Sequence, residues 1–137
     1  MNANASKTVD KDEPISRRVI GCAFEVSNIL GPGFLESVYE NALCVELAEQ
    51  RIPFERQREL VVRYKDRVVG TFVADILVAG ELLVELKAVN RVIAEHSAQV
   101  MNYLRGTGLS VGLLLNFGTP RLGVNRIVWR HDDHRSI

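Results

Sequence analysis

Between Ala74 and Lys87 the chain reads ADILVAGELLVELK, two apolar runs interrupted by Asp75, Glu85 and Lys87 and joined through Ala79, Gly80 and Glu81. This stretch restricts the fold tightly, because strand side chains alternate between faces and a one-residue slip in pairing exchanges every face. A three-residue loop sets Val78 against Leu82, Ile76 against Val84, Ala74 against Leu86 and Phe72 against Ala88, giving one wholly apolar face. The other face then pairs Asp75 with Glu85, and directly opposed residues hold their Cβ atoms about 4.5–5.5 Å apart. Lys87 joins that face beside Val73. A two-residue loop would scatter the apolar positions over both faces, so the hydrophobic pattern selects the odd loop and the pairing of the carboxylates with it. Buried carboxylates and ammonium groups carry a large desolvation penalty unless they offset one another, as they do around a divalent cation. The pattern points to metal-dependent phosphodiester chemistry.

Periodicity places the other elements. Asp12-Glu13-Pro14 reads as a helix start, with Val19, Ala23, Val26 and Leu30 at helical spacing as far as Gly31. Gly31-Pro32-Gly33-Phe34 suits a type II turn. A second helix follows, with the stripe Leu35, Val38, Tyr39, Ala42 and Leu43 and an exit at Pro53. Three strands are predicted over roughly 54–64, 68–78 and 82–89, with Lys65-Asp66-Arg67 as the first turn. A helix over about 94–105 ends at Gly106, Val111 to Leu115 forms a strand covered on both faces, and 126–129 adds an edge strand. The order α, α, β, β, β, α, β, with a final β, is that of a mixed α/β sandwich.

The length of 137 residues suits one domain, expected over 12–137 behind a flexible tail at 1–11. Seventeen basic residues balance seventeen acidic ones, so global charge provides no attraction for a polyanion and any nucleic-acid contact needs a local basic patch. Cys22 and Cys44 are far apart, form no CxxC pair, and read as reduced buried thiols. No apolar run reaches the length of a membrane span, and no signal peptide is evident, so a soluble cytoplasmic protein is expected.

Gly33-Phe-Leu-Glu36-Ser-Val-Tyr39 reads GxxExxY. Together with Ala74-Asp75, Glu85-Leu-Lys87 and the segment Leu113-Leu-Leu-Asn-Phe-Gly118, it resembles the small bacterial GxxExxY family of the PD-(D/E)XK nuclease superfamily, from about Ile15 to Trp129. The resemblance implies a restriction-endonuclease-like αβββαβ core, with a central mixed sheet flanked by helices. It implies Asp75 and Glu85 as ligands of Mg²⁺ or Mn²⁺, the Leu86 carbonyl as a further ligand, and Glu36 at or near the metal. Lys87 and the metal would position and activate a water. His96, Gln99 and Tyr103 share one helix face, and Gln99-Val-Met-Asn-Tyr103 is similar to the QxxxY motif of recombination-type exonucleases, which implies substrate-backbone contacts. Ala74 replaces the superfamily's namesake proline, a position that supplies no catalytic atom.

Each residue has a plainer reading. Glu36 suits a first helical turn by its charge, Glu85 and Lys87 could be an exposed pair on an edge strand, and Tyr39, a candidate substrate contact within the motif, could equally be a core aromatic with a wet hydroxyl. His96 could be an additional ligand or a phosphate contact, and its plainer reading is a partly exposed helix residue. The nuclease reading implies nucleic acid, DNA or RNA, as partner, no membrane, and leaves homodimerisation open. The alternatives are a catalytically silent module that binds nucleic acid or protein, and a hydrolase of smaller phosphate esters.

Overall fold

The computed structural model describes residues 14–130. The expected tail at 1–11 and the Asp12-Glu13 part of the helix start lie outside the described residues. Helix α1 spans Ile15–Leu30 and α2 spans Glu36–Glu49; strands β1 (Phe54–Tyr64), β2 (Arg67–Val78) and β3 (Leu82–Lys87) follow, then α3 (Ala94–Thr107), β4 (Val111–Asn116) and β5 (Gly123–Val128). The five strands form one sheet in the order β1-β2-β3-β4-β5, parallel only between β3 and β4, which α3 connects. Such a crossover is what a parallel pair requires. Among the described residues no helix is long and apolar enough to cross a membrane.

Two cores form, one on each face of the sheet. The first joins Val19, Ala23 and Val26 of α1 and Tyr39, Leu43 and Leu47 of α2 to Ile76, Val78, Leu82, Val84, Leu86, Leu113 and Leu115. The second sets Val100 and Leu104 of α3 against Ala74, Leu83 and Leu114. β3 and β4 are therefore covered on both faces of the sheet, as the wholly apolar run of β4 requires. Each large side chain buried this way contributes about 1.5–3 kcal/mol. Contact is close: a Cβ added at Gly112 would lie 2.7 Å from Val100 Cγ1. Cys22 and Cys44 are free and buried, and burial raises both thiol pKa values, that of Cys22 to about 11.

Several boundaries differ from expectation. β3 ends at Lys87 rather than Val89, α3 runs through Gly106 to the left-handed Gly108, and β5 begins at Gly123 rather than Arg126. Leu35 is 77% exposed at the start of α2, and the stripe that is buried is Tyr39, Glu40, Leu43, Cys44 and Leu47. The odd-loop register holds for Val78–Leu82, Leu77–Leu83 and Ile76–Val84, where regular β2–β3 pairing stops. Beyond it, the expectation that Phe72 and Ala74 share the face of Ile76 and Val78 fails. Phe72 and Ala74 belong to the second core, Ile76 and Val78 to the first.

Candidate functional site

The site begins where the β2–β3 ladder ends. The Asp75 backbone N–H donates to Glu85 Oε2 at 2.9 Å, and the Leu86 N–H donates to Asp75 Oδ2 at 2.8 Å. Each carboxylate thus reaches across to the main chain of the other strand and takes the place of a backbone carbonyl. Asp75 and Glu85 are half-buried at this point, and Lys87, also half-buried, follows on the same strand.

The GxxExxY segment has a structural logic. Gly33 has φ +115°, which favours glycine. The Tyr39 hydroxyl donates to the Gly31 carbonyl at 2.6 Å and accepts the Phe34 N–H at 3.1 Å, standing between the two groups that would close a simple turn. The Tyr39 ring stacks on Phe117 at 4.8 Å and meets Phe34 edge-on. Tyr39, proposed from the sequence as a substrate contact, is fully buried instead, because this clamp uses its hydroxyl and the core uses its ring. The clamp fixes the chain immediately before Glu36, which opens α2.

A second clamp steadies the far end of β3. Asn116, 3% exposed, donates from Nδ2 to the Val89 carbonyl at 3.0 Å and accepts the N–H groups of Val89 at 3.0 Å and Gly118 at 3.1 Å. The Phe117 N–H donates to the Lys87 carbonyl at 2.8 Å. A Cβ on Gly118 would lie 2.3 Å from the Val89 carbonyl oxygen, so only glycine allows this approach.

Electrostatics join these pieces. Burial, then the charges of Asp75 and Glu36, push the Glu85 carboxyl up from 4.5 to about 8, against the pull of the Asp75 N–H and Lys87. Burial and Glu40 raise the Asp75 carboxyl, while the Leu86 N–H, Lys87 and Gln57 oppose the rise. Glu36 is exposed as a residue, yet partial burial and the Asp75 charge raise its carboxyl too. The Tyr103 hydroxyl is raised by burial and then by Glu85 and Asp75, while Gln99 favours its ionised form. Tyr103 stacks on Phe72 with centroids 3.6 Å apart, which ties α3 to β2.

The fold therefore gathers Asp75, Glu85, Lys87 and Glu36, with Tyr103 and Gln99 beside them. Leu86 is buried, and its N–H meets the site through Asp75. His96 is the exception on the α3 face: its Nδ1 accepts the Ile93 N–H at 3.3 Å, tying it to the start of its own helix.

Sequence reasoning missed Glu40, which is 9% exposed. Its Oε2 accepts Arg56 Nε at 3.2 Å and Nη2 at 3.1 Å, and its Oε1 accepts Gln57 Nε2 at 3.0 Å. Only the spacing hinted at it: Glu40 lies one helical turn beyond Glu36, but it falls outside the apolar stripe expected from the sequence and joins the buried face only in the fold. Arg56 also donates to Asn41 Oδ1. A cavity of about 430 Å³ between Pro14, Gly80, Gly108 and Arg126 includes none of the site's acids.

Among the described residues no group of three or more His, Cys, Asp or Glu is placed so that it could hold a metal ion. The donor chemistry nonetheless fits a hard divalent cation: the donors are carboxylate oxygens whose mutual repulsion a cation would relieve. A five-stranded mixed sheet with helices on both faces, carrying an acidic pair and a lysine where a strand ladder opens, is a restriction-endonuclease-like domain. The chain belongs to the PD-(D/E)XK nuclease superfamily, whose family profile matches residues 13–127. PD-(D/E)XK nucleases generally use divalent metals. Neither a curated protein nor a solved structure matches the chain significantly.

Proposed function

We propose that the protein is a nuclease of the GxxExxY kind, dependent on Mg²⁺ or Mn²⁺ and hydrolysing phosphodiester bonds of DNA or RNA. One observation carries the reading: Asp75 and Glu85 cross-link the opening between β2 and β3 while burial and like charge raise both carboxyls. Unrelieved repulsion of this kind is a cost that a bound cation offsets.

Asp75, Glu85, Glu36 and the Leu86 main chain would hold the cation. Once bound, it would lower the pKa of a water and neutralise charge developing on the phosphate. Lys87 orients the attacking water and stabilises its deprotonated form through its ammonium charge. Tyr103 and Gln99 hold the substrate backbone beside the acids. Exposed Arg58 and Arg63 on β1, Arg67 on β2 and Lys65 in the turn between them supply phosphate contacts that the neutral net charge does not.

The test incubates purified protein with single- and double-stranded DNA and RNA in Mg²⁺ or Mn²⁺, beside Lys87→Ala. Cleavage that the substitution lowers by at least about 100-fold supports the proposal. Undiminished cleavage by Lys87→Ala would assign the activity to a contaminant, and binding without cleavage would favour a silent module.

A further inference from the structure

Gln57 has φ +48°, in the left-handed region. For a residue other than glycine that conformation costs about 1–2 kcal/mol and persists only where its surroundings enforce it. The β1–β2 ladder pairs Arg56 with Ile76 and Arg58 with Ala74, passing over Gln57 and Asp75 between them. On one side of this gap Phe54, Ile76 and Val78 pack in the first core; on the other, Leu60, Phe72 and Ala74 pack in the second. Residues two apart on a regular strand share a face. Ala74 and Ile76 do not, so the strand pair turns over at Gln57 and Asp75.

The Gln57 side chain is anchored. Its Nε2 donates to Glu40 Oε1 at 3.0 Å, and the other oxygen of Glu40 is held by Arg56. Across the gap in the ladder Gln57 stands opposite Asp75, and its amide favours the ionised form of that carboxyl. Asp75 meanwhile accepts the Leu86 N–H through Oδ2. Glycine would hold this backbone at lower cost, so what glutamine adds is the amide.

We infer that Gln57 is a positioning residue for Asp75: its left-handed backbone turns the β1–β2 ribbon over at the acid, and its amide, braced by Glu40, sets the direction of the Asp75 carboxylate. The inference rests on the metal-dependent reading above. Outer partners of metal-binding carboxylates are worth about 10–100-fold in metal affinity or activity, and Gln57 belongs in that range.

The experiment compares wild type with Gln57→Gly, which keeps the backbone free to turn but removes the amide. Gln57→Asn, which tolerates the left-handed region with a shorter amide, serves as a second variant should the glycine chain fold poorly. Mn²⁺ binding is followed by calorimetry, stability by thermal melting, and cleavage by kcat and KM on one labelled oligonucleotide. Gln57→Gly should melt within a few degrees of wild type, bind Mn²⁺ about 10-fold or more weakly, and lose kcat by a similar factor with KM little changed. Gln57→Asn should shift Mn²⁺ binding in the same direction. Wild-type Mn²⁺ affinity and kcat in a folded variant would overturn the positioning role alone. Absence of Mn²⁺ binding by the wild-type protein would overturn the metal-dependent reading, and this inference with it.

Discussion

Replacing Glu85 by glutamine should stabilise the metal-free protein at neutral and alkaline pH. In the folded chain burial and the neighbouring acids hold the Glu85 carboxyl near 8, against an ordinary value of 4.5. Below pH 4.5 both folded and unfolded chains carry the proton, and Glu85 adds no pH dependence. Between 4.5 and 8 the folded state keeps a proton that the unfolded state has released, so its stability falls as pH rises, by up to about 1.4 kcal/mol per pH unit. At pH 7 the accumulated loss is on the order of 3 kcal/mol. Glutamine matches glutamate in shape, can still accept the Asp75 N–H, and avoids this loss. Thermal melts in EDTA from pH 5 to 8.5 should show Glu85→Gln gaining on wild type as pH rises, by several degrees at pH 7.5. A residual slope from Asp75 and Glu36, whose carboxyls are raised as well, should remain in both proteins. Mg²⁺ or Mn²⁺ should restore wild-type stability at high pH and leave the variant less affected. Parallel pH profiles for the two proteins would refute the reasoning.

Two further predictions concern the clamps. Tyr39→Phe keeps the stack on Phe117 but leaves the Gly31 carbonyl and Phe34 N–H without the hydroxyl; it should cost about 1–2 kcal/mol in urea denaturation and speed hydrogen exchange at Phe34. Asn116→Ala removes the partner of Val89 and Gly118 and should cost roughly 2–4 kcal/mol. Asn116→Asp should be about as damaging as the alanine variant, because a carboxylate would face the Val89 carbonyl; wild-type stability in the aspartate variant would contradict this account.

Much of the architecture was legible because local physics decided it. Helical spacing located α1 and α2, and β-branched alternation with an odd loop gave the register of the β2–β3 hairpin at the three pairs that form. The charges at Asp75, Glu85 and Lys87 stood out because each is costly within an apolar strand. The turnover at Gln57 was not legible, since a left-handed glutamine leaves no periodic trace. Nor was the fate of Tyr39, because GxxExxY fits a buried clamp and an exposed contact equally well.

The sequence by itself determined which segments become helices and strands, the odd-loop register of the hairpin as far as Ile76 and Val84, and the chemical identity of the acidic group. Those follow from neighbours a few residues apart. Tertiary structure alone decided that Ala74 and Ile76 face different cores, that Glu40 braces Gln57 across 17 residues, and that Asn116 holds Val89 across 27. Such contacts become favourable only after the sheet has brought distant segments together, since the chain must first meet the entropy of closing those loops. A hydrogen-bond donor without its acceptor nearby in sequence gives no sign of where that acceptor will be.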